Sequence, residues 1–135
     1  MFVINREKMK VLNECSEVQM NTRLVNYLSK NHPEQLVRFG VDVVPIIAIE
    51  ASLIEHLVRQ SVKIARTYGF MTEDLLTAFT VLRFVSAPNF NCHPAIKLVL
   101  TNIRIPVSER LAALWIYTTE DHWEEIEASY SPSEW

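Results

Sequence analysis

Glycine is almost absent from this chain, which has two in 135 residues, Gly40 and Gly69. Folds made of tight β-turns need glycine or Asn-Gly at many of their reversals, so a meander or an all-β sandwich is excluded. Cysteine is as scarce: Cys15 and Cys92 stand alone, without the CxxC spacing of a zinc site or the density of a disulfide scaffold. Long apolar runs are also missing. The most apolar stretch, residues 41–58, is interrupted by Asp42, Pro45, Glu50, Glu55 and His56, which makes it too short and too charged to span a bilayer. The first ten residues lack an apolar segment followed by a small-residue cleavage site, so a cytoplasmic protein is the expectation. Cations are missing from one end: residues 120–135 carry six acidic side chains and no Lys or Arg. All thirteen basic residues fall in the first 119, against ten acidic ones, and they form no stripe with interleaved aromatics. Nucleic acid is therefore a poor partner.

What is present points to helices. Apolar residues make up 49% of the chain and charge is ordinary, enough for a real core in a domain of this length. In residues 45–69, Ile46, Ile47, Leu53, Ile54, Leu57, Val58, Ile64, Ala65 and Tyr68 share one broad arc at 100° per residue, and Ser52, Glu55, His56, Arg59, Gln60, Lys63, Arg66 and Thr67 share the other. Pro45 suits a first turn and Gly69 a position after the last. The expected fold is all-α: a compact single domain over residues 1–135, five to seven helices around a central helix near 46–68, with residues 129–135 a loose tail.

The rest of the chain reads in the same way. Asn5 caps a long first helix to about Lys30, ended by Asn31-His32-Pro33. A short turn of helix is expected from Pro33 to Phe39, closed by Gly40, and then a linker at Val41–Val44. Thr72 starts a helix with Glu73 and Asp74 in its first turn, where the helix dipole favours carboxylates, and Thr80 and Arg83 are its clearest polar positions. Pro94 opens a short helix to about Thr101. Ser108 caps another, with Leu111, Ala112, Leu114, Trp115 and Tyr117 as its apolar set. Thr118 or Thr119 opens an acidic terminal helix containing Trp123 and Ile126.

The segment Ile64-Ala65-Arg66-Thr67-Tyr68-Gly69-Phe70-Met71-Thr72-Glu73-Asp74-Leu75, followed by Phe79, Leu82 and Asn89-Phe90-Asn91-Cys92-His93-Pro94, resembles small helical bacterial proteins encoded beside type VI secretion effectors. In those, a helix ending in Ala-x-x-Tyr-Gly precedes a Ser/Thr-Glu-Asp helix start, a Phe-Asp-x-x-Pro loop and a late-helix Arg. The early Phe2-x-Ile4-x-Arg6-x-x-Met9 and the His32-Pro33-Glu34 turn are similar as well. Asn91 stands where that family tends to have Asp, so the loop carries no carboxylate at that point. The resemblance implies an effector-associated protein, either an immunity protein or a loading accessory.

No set of residues announces chemistry. His32, His56, His93 and His122 have no His or Cys partner three or four positions away, so no metal or other cofactor is expected. Cys92 beside His93 has no nucleophile signature around it, although a hydrolase without a recognisable motif stays open as an alternative of another class. Glu73-Asp74 and Glu124-Glu125 are adjacent, and adjacent residues point in different directions on a helix. Glu50 falls inside the apolar arc of the central helix and is expected to reach solvent or Arg38.

The favoured function is therefore non-catalytic binding of a cognate effector protein, as an immunity-type neutraliser of a secreted toxin or, failing that, as a chaperone or adaptor for loading. A homodimer is compatible with the chain, and no membrane partner is expected. The partner surface is placed on Trp115, Glu120, Asp121, Trp123, Glu124, Glu125 and Glu127, because aromatics rimmed by charge suit interface centres and an acidic rim speeds encounter with a basic surface.

Overall fold

The structure, a computed structural model, describes the backbone of residues 6–39 and 41–135 and the side chains of 17–39 and 41–135. Among them are six α-helices: α1 Arg6–Asn31, α2 Ala51–Thr67, α3 Glu73–Val85, α4 Pro94–Leu100, α5 Val107–Tyr117 and α6 Glu120–Ala128. The expected helical bundle is present. The Asn5 cap lies outside the described residues.

One small sheet was not expected. Strands β1 (Leu36–Phe39) and β2 (Asp42–Pro45) pair antiparallel, with Leu36 opposite Pro45 and Phe39 opposite Asp42. The predicted helical turn at 33–39 and the linker at 41–44 are two arms of one hairpin. Only Val37 of the hairpin is buried, so the pattern offers almost no alternation to read. The ladder continues past β2, as the Ile46 N–H donates to the Gln35 carbonyl at 2.9 Å and the Ile47 N–H to the Pro33 carbonyl at 2.9 Å.

The central helix is correspondingly shorter than its apolar arc. Pro45 closes β2, Ile46–Ala48 form a single 3₁₀ turn, and α2 starts at Ala51 with Glu50 as its N-cap residue. Glu50 is exposed and accepts from the Ser52 hydroxyl, so it leaves the apolar arc for solvent. Ile54, Leu57, Val58, Ser61, Val62 and Ala65 form the buried face, which packs between α1 and α3. Gly69 then turns the chain at φ +91°, a left-handed conformation that costs other L-residues about 1–2 kcal/mol.

The core is aromatic along one line. Phe70 lies 6.0 Å from Phe79, Phe79 lies 5.0 Å from Phe90, and Phe90 lies 6.4 Å from Trp123. Trp123 stacks in turn on Trp115 at 5.2 Å. A continuous row of rings thus runs from the centre of the bundle to the surface at the α5–α6 corner.

The C-terminal segment is not loose. Residues Pro132–Glu134 form a 3₁₀ turn against β1, and Trp135 sits 4.8 Å from Phe84 and 6.3 Å from Phe39, donating its Nε1–H to the Tyr130 hydroxyl at 2.9 Å. Apolar contact and a buried cation, described below, hold it.

Candidate functional site

Residues Trp115, Ile116 and Tyr117 end α5, and three consecutive helical positions sweep about 200° of circumference. A helix end packed on one side cannot bury all three. Leu111, Ala113 and Leu114 take the core, which leaves Trp115, Ile116 and Tyr117 at 64%, 77% and 61% exposure. The predicted apolar set of α5 is thus divided: Leu111 and Leu114 are core, whereas Trp115 and Tyr117 face solvent. The helix also starts earlier than expected, with Pro106 at the N-cap and Ser108 inside the first turn.

Two grooves flank this exposed strip. On one side Trp115 and Ala112 face Val81, Leu82 and Tyr27, with Glu73 and Asp74 at the edge, in a groove of about 680 Å³. On the other, Ile116 and Tyr117 face Arg104, Ile105 and Pro106 across about 380 Å³.

Helix α6 brings the acidic residues to the same corner. Thr119 caps it, accepting from the His122 N–H, while the His122 ring accepts from the Thr119 N–H at 3.1 Å, a reciprocal capping box. Glu120 and Asp121 occupy the first turn, and with Glu124 and Glu127 they are exposed. Ile126 is the buried residue of this helix.

The predicted site residues therefore come together, but with different jobs. Trp123 is half-buried between Phe90 and Trp115, with its Nε1–H on the Thr118 hydroxyl at 3.0 Å, so it supports the corner from beneath. Trp115 is the ring that faces solvent. Glu125 turns away to meet His93 Nε2 at 2.8 Å. His93 also caps α4, its Nδ1 accepting from the Ala95 N–H at 3.1 Å. With both ring nitrogens engaged, His93 has no free nitrogen to act as a base for the exposed Cys92. No group of three or more metal-ligating side chains occurs among the described residues, and no helix among them is long and apolar enough to cross a membrane.

Sequence reasoning assigned no role to one side chain of consequence. Arg83, one of the two clearest polar positions of α3 in the sequence, is fully buried, as is the other, Thr80, whose hydroxyl returns to the Leu76 carbonyl. The Arg83 guanidinium spreads over three neutral oxygens: Nε donates to the Pro88 carbonyl (2.9 Å), Nη1 to the Ser61 hydroxyl (2.8 Å) and Nη2 to the Glu134 carbonyl (2.7 Å). The Trp135 ring covers it at 5.0 Å. Burial pushes its pKa down to about 10, which leaves it charged at neutral pH. Ser61, on the buried face of α2, donates its hydroxyl to the Leu57 carbonyl of its own helix and so accepts from Arg83 without signalling it in the sequence.

Helices α1 and α2 enclose a third groove of about 470 Å³, lined by Val18, Asn21, Arg59, Lys63 and Arg66 among others. Glu17 pairs with Arg66 at 2.6 Å, and Glu55 with Arg59 at 3.4 Å. Asn21 is buried, and its Oδ1 has no hydrogen-bond partner.

Comparison of the chain with protein-family models, with curated proteins and with solved structures returns no match.

Proposed function

We propose that this chain is a non-catalytic protein-binding module whose contact surface is the α5–α6 corner. The observation that carries the reading is the strip Trp115-Ile116-Tyr117, three large apolar side chains more than half exposed at one helix end and adjoined by the acidic first turn of α6. Isolated exposed apolar side chains are ordinary, but a cluster with a polar rim marks an interaction surface. The complementary partner carries an apolar pocket with basic residues around it. Trp115 supplies the anchor, and Glu120, Asp121, Glu124 and Glu127 supply the steering charge.

The resemblance to effector-associated proteins narrows the partner to a cognate secreted toxin, bound and neutralised in the cytosol. The alternative within the same class is a chaperone or adaptor that holds the effector for loading. Co-expression with the product of the adjacent gene separates the two. An immunity protein restores growth to cells making the toxin in their cytosol, whereas a loading accessory is required for secretion and gives no protection. If the adjacent product neither binds nor is affected, the reading fails. A hydrolase dependent on Cys92 would instead lose turnover in Cys92→Ser while binding stays intact.

A further inference from the structure

We infer that the acidic stripe of α6 in one copy of this chain docks in the cationic α1–α2 groove of a second copy. Arg59, Lys63 and Arg66 stand at i, i+4 and i+7 on α2, and Glu120, Glu124 and Glu127 stand at i, i+4 and i+7 on α6. Each trio therefore covers an arc of about 60° and a length of about 10.5 Å, so the two helices laid parallel set each cation against one carboxylate. All six side chains are exposed. Within one copy the stripes belong to different parts of the bundle, since α2 packs against α1 and α3 while α6 follows α5 at the opposite end of the aromatic row.

The groove has room for an incoming helix edge. Beside the cations it presents Val18, 58% exposed, as an apolar wall. Lys63 has no carboxylate within ion-pair reach among the described residues, and Glu120, Glu124 and Glu127 have no cation within reach there either. Arg59 and Arg66 already hold Glu55 and Glu17, so the second copy's carboxylates share those cations, with Lys63–Glu124 as the central new pair. Exposed ion pairs of this kind are individually weak and salt-sensitive, so the contact forms at high protein concentration and low ionic strength.

This contact needs no other protein and stands apart from the protein-binding reading, although it uses the α6 carboxylates. Sedimentation velocity of the full chain over a wide concentration range, at about 0.02 M and about 0.5 M NaCl, measures it. The expected result is concentration-dependent association that the higher salt abolishes. Lys63→Glu alone and Glu124→Lys alone should each weaken association about tenfold or more. The two variants mixed should associate again, because each keeps the surface that the other has lost. The double variant Lys63→Glu/Glu124→Lys, with the pair reversed, should recover wild-type association. Both positions of charge change, Lys63 and Glu124, are exposed, and matched thermal unfolding curves verify that the variants remain folded. A wild type that is monomeric throughout overturns the inference. So does association indifferent to the reversals, or a double variant no better than either single one.

Discussion

Arg83 is a cation enclosed by neutral oxygens, and the shape of its side chain explains why. Its three nitrogens reach Ser61 on α2, Pro88 after α3 and Glu134 near the C-terminus, so one planar fork ties three separate parts of the chain together. Lysine keeps the charge but not the fork. Arg83→Lys should therefore destabilise the fold by about 2–4 kcal/mol in urea unfolding, leaving at least one buried oxygen without a donor. Because burial lowers the Arg83 pKa from its ordinary value to about 10, the folded state binds this proton less tightly than the unfolded chain does. Stability from this group therefore rises only as pH climbs through about 10 towards the ordinary arginine value, and is flat between about pH 5 and 8. Wild-type and Arg83→Met unfolding curves should run parallel with pH across the neutral range; divergence there would show that Arg83 titrates where this environment forbids it. In the sequence the position stood out on α3 only as polar, beside Thr80. Nothing in the α3 pattern announced that the chain would return 51 residues later to offer a carbonyl.

Elements were legible where local chemistry fixes their ends. Thr72 caps α3 by accepting from the Leu75 N–H, Thr119 caps α6, Pro94 opens α4, and Gly69 takes the left-handed turn after α2. The hairpin was not legible, because four-residue strands with a single buried side chain owe their existence to partners distant in sequence. One such partner is Tyr130, whose hydroxyl accepts from the Arg38 N–H at 3.1 Å while its ring lies 4.8 Å from the Arg38 guanidinium carbon. Trp135 completes the clamp. Trp135→Ala should cost about 2–3 kcal/mol of stability and speed hydrogen exchange in residues 36–45, which a frayed tail would not do.

Another clip joins α1 to α3, where Arg23 grips Glu73 through two bonds of 2.7 and 3.0 Å. The hydrogen bond from Arg23 holds the Glu73 carboxyl below its usual value of 4.5. Its folded pKa is depressed, so its contribution is present above about pH 4.5 and lost as pH falls through the lowered value. Glu73→Gln should flatten the acid limb of the stability curve slightly and leave neutral pH nearly unchanged, because the pair is exposed.

Across the whole molecule, the row Phe70, Phe79, Phe90, Trp123 and Trp115 connects the centre of the core to the exposed corner. The sequence placed Trp115, Trp123 and the α6 carboxylates in one neighbourhood because they are close along the chain. It could not divide their roles, since that depends on Phe90, 33 residues earlier, rising to meet Trp123. The division has a consequence for charge. Replacing Glu120, Asp121, Glu124 and Glu127 by their amides should slow association with a basic partner and flatten its salt dependence, with dissociation little changed. Glu125 is left out because its amide would also disturb the His93 contact at α4.

The sharpest test compares the two tryptophans. Affinity for the product of the adjacent gene should be measured by calorimetry for wild type, Trp115→Ala and Trp123→Ala, with thermal unfolding of each free protein alongside. Trp115→Ala should lose about 2 kcal/mol or more of binding, roughly thirtyfold, at an unchanged melting temperature, whereas Trp123→Ala should lower the melting temperature itself. A folded Trp115→Ala that binds as tightly as wild type would contradict the assignment of the α5–α6 corner as the partner surface.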